Sequence, residues 1–194
     1  MDSYTAARNL RIILVIIISV VAIAGLVAAA RYVFFPTDSS KNDTSETSLL
    51  STSANRSVKM SVRGSIVANE NFRSYQIEIT PNERLLTTYS GYMGQATQSI
   101  SLGNNIPAYE QFVYALNEYK FMRAIEFSGT ANDTRGVCPT GLLYEFEILK
   151  DDKTIKKLWT TSCSGGSFIA SVASVKSLFT NQIPKSMSVI GKLW

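Results

Sequence analysis

The sequence predicts an α+β chain. It predicts one N-terminal transmembrane helix, then a domain whose antiparallel sheet of about five strands is packed by one main helix and a short C-terminal helix. Three observations carry this expectation: an apolar run near the N-terminus, short segments alternating with period two, and one strong segment of period 3.6 between them. The 194 residues suit one domain plus an appendage.

The apolar run spans Ile12 to Ala30 without a charge or a proline, and Ser19 is its one hydroxyl. At about 1.5 Å per residue, roughly 20 apolar residues cross a hydrocarbon core of about 30 Å. Arg11 and Arg31 bracket the run, and Tyr32, Phe34 and Phe35 follow as an interfacial aromatic belt. A soluble helix of five turns would carry a polar face, and this one has none. A cleaved signal peptide is the rival reading: Ala28-Ala29-Ala30 resembles a cleavage site, but the run exceeds the usual 7–15 residues of an h-region. The expected layout is 1–11 as a cytoplasmic N-terminus, 12–35 as the transmembrane helix, 36–57 as a linker and 58–194 as an extracytoplasmic domain.

Basic residues on the two sides of the run nearly tie, with Arg8 and Arg11 before it and Arg31 and Lys41 after it. The spacer and the cysteine pair that follow break the tie towards N-terminus inside. The expected location is the cell membrane, single-pass, with the C-terminal domain outside. The linker is rich in Ser, Thr and Asn, and Leu49 and Leu50 are its large apolar residues. Such a composition predicts a flexible tether. Asn42-Asp43-Thr44, Asn55-Arg56-Ser57 and Asn132-Asp133-Thr134 match the glycosylation sequon, a pattern common by chance.

The domain opens with Val58, Met60 and Val62 alternating with Lys59, Ser61 and Arg63, a strand that Gly64 bends and Ile66 and Val67 extend. Tyr75, Ile77 and Ile79 mark a second strand. Pro81-Asn82-Glu83 is a turn, and Arg84 to Tyr89 returns as a third strand. Residues 95–102 form a further extended piece. Pro107 starts the main helix, with Glu110 in its first turn. Tyr109, Phe112, Val113, Leu116 and Tyr119 make its apolar face. At this spacing the aromatic residues read as a core face and not as a ligand stripe. Leu142 to Leu149 and Lys153 to Thr161 form a hairpin about Lys150-Asp151-Asp152. A short helix around 171–180 carries Val172, Val175, Leu178 and Phe179 on one side and stops before Pro184. The tail, 185–194, is too apolar for plain disorder.

Cys138 and Cys163 flank the hairpin. If Tyr144, Phe146 and Ile148 share a face with Ile155 and Trp159, facing residue numbers add to an odd sum. Cys138 and Cys163 obey the same parity, so the expectation is a cross-strand disulfide between them; two buried thiols are the alternative.

Composition excludes much. The chain has no histidine, which removes Ser-His-Asp triads, Cys-His pairs and histidine metal ligands. No lysine stands three residues after a serine, so the S-x-x-K pattern is absent. Two cysteines do not complete a zinc site, and no calcium loop or phosphate cradle has the needed spacing. The expectation is no metal, no cofactor and no catalytic residue. Net charge is +4, and from Val58 onward 14 basic residues face 11 acidic ones, which is no nucleic-acid footprint. Glu145 and Glu147 share a strand face and are expected to pair with Lys156 across the hairpin. Lys153, Lys156 and Lys157 form a small basic cluster that suits edge protection.

The segments SYQIEITPNERLLTTYSGY, YEQFVYALN, GVCPTGLLYEFEIL and LWTTSC fall within residues 74–183. Their order is strand, strand, helix, a strand preceded by cysteine, a W-x-x-x-C strand and a short helix. In this they resemble a loose group of uncharacterised bacterial membrane-anchored extracytoplasmic α+β domain proteins. The resemblance implies an exported, anchored α+β domain and no site residue. The expected partners are the lipid bilayer, through residues 12–35, and an envelope protein or polymer, with no nucleic acid. A binding or structural envelope protein is the first reading, and no enzyme. An anchored hydrolase using carboxylates alone is the alternative. So is a subunit of a membrane complex, for which Ala22, Gly25, Ala28 and Ala29 offer a close-packing helix surface.

Overall fold

A computed structural model describes residues 46–127 and 129–194. The predicted transmembrane segment, 12–35, and the residues before it lie outside the described residues. Among the described residues, no helix is long and apolar enough to cross a membrane.

The described fold is α+β. Six strands form one antiparallel sheet: β1 (Arg56–Arg63), β2 (Arg73–Ile79), β3 (Glu83–Ser90), β4 (Gln95–Gly103), β5 (Leu143–Lys150) and β6 (Lys153–Thr161). Their spatial order is β4-β3-β2-β1-β5-β6. Four α-helices accompany them: α1 (Glu46–Leu49), α2 (Ile106–Glu118), α3 (Val172–Asn181) and α4 (Ser186–Ile190). The first four strands are a meander. The chain then crosses through α2 and returns to place β5 against β1.

Period-two alternation sorts the side chains into two faces. Val58, Met60 and Val62 on β1 face Ile79, Ile77 and Tyr75 on β2, and Ile148, Phe146 and Tyr144 on β5. These side chains are buried beneath the helices. Phe146 sits centrally, with the rings of Phe121, Phe168 and Phe179 between 4.4 and 6.3 Å away. Tyr75 also lies here, and burial pushes its phenol pKa up, with Tyr144 adding to the effect.

Helix α2 begins where the Asn105 side chain accepts a hydrogen bond from the Ala108 N–H at 2.9 Å. Tyr109, Phe112, Val113 and Leu116 are buried as the periodicity predicts, but Tyr119 is half exposed. The helix stops one residue earlier. Lys120 takes a left-handed φ of 58°, the Lys120 N–H reaches the Asn117 carbonyl, and the Phe121 N–H reaches the Leu116 carbonyl. That is a Schellman closure with lysine where glycine is usual. It turns the chain so that Phe121, not Tyr119, fills the core. Helix α3 is capped by Ser171, whose hydroxyl accepts from the Ser174 N–H. It buries Val175 and Phe179, the latter edge-on to Phe112 at 5.2 Å. The apolar tail folds into α4, and Ile190 is buried.

Other expectations need correction. The sheet has six strands, because residues 95–103 complete the meander as a full edge strand. β1 ends at Arg63, and Ile66 and Val67 lie in an exposed loop. The domain does not begin at Val58. Helix α1 falls inside the predicted 36–57 linker and places Leu49 fully in the core, while Ser48 accepts a buried hydrogen bond from the Arg56 guanidinium at 3.0 Å. The two leucines of that polar segment are what tie it down. Burial of one large side chain outweighs a local composition that otherwise favours disorder.

The hairpin register also differs. Asp151 and Asp152 both adopt left-handed φ values, 51° and 60°, and close a two-residue loop with Lys150 opposite Lys153. The register then shifts between Ile148 and Leu149, whose partners are Lys156 and Thr154, so Ile155 is an extra residue on β6. Beyond this bulge Phe146 faces Leu158, and Glu145 faces Trp159. Trp159 therefore belongs to the opposite face from Phe146. One inserted residue reverses the parity of everything after it.

The position of α1 has a measurable consequence. A chain starting at Val58 loses Leu49, the Ser48–Arg56 bond and the first two residues of β1. It is expected to be less stable than one starting at Asn42 by about 2–4 kcal/mol. Urea unfolding of the two chains checks this, and equal midpoints would show that α1 adds nothing.

Candidate functional site

The face of the sheet away from the helices is polar. Ser61 and Arg63 on β1 lie beside Gln76 and Ser74 on β2, which lie beside Thr87 and Tyr89 on β3. On the other side of β1 stand Glu145 and Glu147 of β5, next to Trp159 and Lys157 of β6. The chain between α2 and β5 passes from the helix side at Ala124, which bridges Phe168, to this polar face. There Phe127 lies 5.9 Å from the Trp159 ring, and the indole N–H donates to Asn132 Oδ1 at 2.9 Å. This segment covers the β6 side and leaves the centre of the face open.

The uncovered centre is a groove of about 430 Å³. One wall is an ion cluster around Glu145, whose side chain is only 9% exposed. Arg63 Nε lies 3.1 Å from one carboxylate oxygen, and Lys157 Nζ lies 2.7 Å from the other. The Arg63 contact is electrostatic, because its Nε–H does not align with a hydrogen-bond acceptor. The Arg63 Nη2 group donates to Thr134 Oγ1 at 2.9 Å. Arg63 and Lys157 remain 37% and 44% exposed, so both cations reach the groove. With one carboxylate between two cations, this corner carries one net positive charge. Glu147 is neutralised separately by Lys59 at 3.3 Å.

The predicted partner of these glutamates was Lys156, and the structure replaces it with Lys157 and Lys59. The bulge at Ile155 is the reason: it turns Lys156 to the other face, where it pairs with Glu126. Arg63 was legible only as a polar strand position, since its importance comes from β5 lying next to β1.

A second, apolar pocket of about 200 Å³ adjoins the groove, and Arg63 and Thr134 line both. Ile66, Phe72, Tyr92, Val137 and Leu143 supply its apolar wall. Tyr92 stacks on Phe72 at 4.1 Å, and its hydroxyl donates to the Val67 carbonyl at 2.8 Å. Arg135 borders the pocket, but it is held by Asp133. The hydrogen bonds from Arg135 in turn lower the Asp133 pKa to about 2.

Cys138 and Cys163 are bridged, with Cα atoms 5.7 Å apart. The route is not the direct opposition that parity predicts. In the observed register Cys163 stands level with Gly141. A turn closed by the Gly141 N–H on the Cys138 carbonyl folds Cys138 back to meet it. Gly141 has to be glycine here, since a Cβ would stand 2.3 Å from Ser162 Oγ and 2.6 Å from Cys138 Sγ. The bridge thus fixes the end of the segment whose Thr134 borders both cavities and whose Val137 borders the apolar pocket.

Among the described residues, no group of three or more Cys, Asp or Glu side chains is placed to hold a metal ion. The described residues thus define a one-sided α+β sheet domain with an open, charged face. No protein family matches the chain, and no curated protein matches it.

Two outcomes test this geometry. Non-reducing trypsin digestion is expected to give residues 136–150 linked to 158–176, and reduction is expected to lower stability by about 3 kcal/mol on the loop-entropy scale. Freely alkylated thiols in the folded protein would contradict it. Glu145→Gln leaves Arg63 and Lys157 side by side without their shared anion. Because both cations are partly solvated, the expected cost is about 1–2 kcal/mol, read as a shift in the urea midpoint.

Proposed function

We propose that the chain is a single-pass membrane protein of the cell envelope, and that its α+β domain is a binding module held outside the cytoplasm. The open face of the sheet is its recognition surface. The observation that carries this reading is the groove: a sheet buried on one side presents two partly exposed cations, hydroxyls and an amide on the other. The apolar run at 12–35 supports the anchor, and the bridge between Cys138 and Cys163 supports an oxidising compartment. Glu145 and Glu147, the two acids that the sequence singles out for the alternative of a hydrolase using carboxylates, are already paired with cations. That disfavours this pair for the role, which needs one acid able to give up or take a proton in the cleft.

The test is topological. With α1 part of the domain, the sequence between the predicted span and Glu46 holds Lys41 as its one tryptic site. Trypsin added to intact cells is expected to cut there and release the folded domain. Cutting that requires lysis would place the domain in the cytoplasm and overturn the reading.

A further inference from the structure

We infer that the groove and the adjoining pocket together recognise a peptide chain end, with the terminal carboxylate at Arg63 and Lys157 and an apolar last side chain in the pocket. This rests on the reading of the open face as a recognition surface and gives that surface a ligand class.

Charge sets the first requirement. Glu145 offsets one of the two cations, so the corner accepts one negative charge, and the buried carboxylate repels a dianion. Arg63 and Lys157 keep donors for it, because Glu145 and Thr134 use only part of their capacity. Arg135 is the weaker anchor, since Asp133 cancels its charge and its side chain is 89% exposed to water.

Adjacency sets the second requirement. Arg63 and Thr134 line both cavities, so the anion and the apolar group must leave nearly the same point of the ligand. In a peptide, only the last residue carries a carboxylate and an aliphatic side chain on one carbon. The pocket, walled by Ile66, Phe72, Tyr92 and Val137, has a volume of about 200 Å³. That is the scale of one side chain and not of a lipid tail. The groove beyond Arg63 is lined by Ser61, Ser74, Gln76 and Tyr89. Their hydroxyl and amide groups can both donate to and accept from the preceding peptide units.

The experiment uses the full chain in detergent micelles and a fluorescent hexapeptide of Gly and Ser ending in Leu with a free carboxylate. Anisotropy is expected to show saturable binding. The C-terminal amide, and a version ending in Ser, are each expected to bind at least about tenfold more weakly, a loss of about 1.4 kcal/mol. Lys157→Gln should weaken the free acid and leave the amide unchanged. Arg63→Gln should do so more strongly, and Lys157→Gln remains a fair test should that variant fold poorly. Equal binding of acid and amide would overturn the proposal, as would no binding of any peptide. If oligogalacturonate binds in place of the peptide and Lys157→Gln abolishes it, the peptide assignment falls while the recognition face stands. Cytoplasmic topology would remove the envelope reading without touching the peptide result.

Discussion

The pairing of β1 with β5 is the constraint on which both faces depend. It joins residues distant in sequence, and its register does two things at once. Val58, Met60 and Val62 meet Ile148, Phe146 and Tyr144 under the helices. Lys59, Ser61 and Arg63 then necessarily meet Glu147, Glu145 and Leu143 on the open side. A slip of one residue would turn the apolar set to water and bury the charges, a change costing many kcal/mol. The ion cluster is therefore not an independent ornament of the surface. Its geometry is the other side of the core.

Most of the fold was legible because alternation and helical periodicity are strong local signals. Tyr75, Ile77 and Ile79, or Phe112, Val113 and Leu116, announce their faces without knowledge of any neighbour. The failures have one physical kind: each depends on a single residue whose conformation is set by tertiary structure. Ile155 bulges, and Trp159 and Lys156 exchange faces. Lys120 turns left-handed, and Phe121 displaces Tyr119 from the core. Leu49 docks, and a stretch that composition assigns to a tether becomes part of the domain.

The candidate site was less legible than the fold. Glu145, Glu147 and the lysines of β6 stood out as charged positions, but their pairing required the bulge. Arg63 sits at the end of an ordinary alternating strand, and nothing local marks it. The apolar pocket draws on Ile66, Phe72, Tyr92 and Val137, four residues from three separate loops or strand ends. The one usable signal was that Ile66 and Val67 are apolar beyond the end of their strand. The disulfide was foreseen from count and position, yet its path runs through the turn at Gly141.

The order of strands across the sheet also implies an order in time. The meander β1 to β4 makes contacts between neighbours in sequence, which close quickly. The second edge of β1 has no local partner. It waits for β5, which begins about 80 residues after β1 ends, and closing that span carries an entropy cost that grows slowly with length. A chain emerging from its N-terminus thus presents a half-built sheet, with one edge of its central strand unpaired, until the hairpin of β5 and β6 arrives. During that interval, Val58, Met60 and Val62 lie on a strand edge able to accept a foreign strand. The late hairpin is therefore both the closing move of folding and the protection against misassembly.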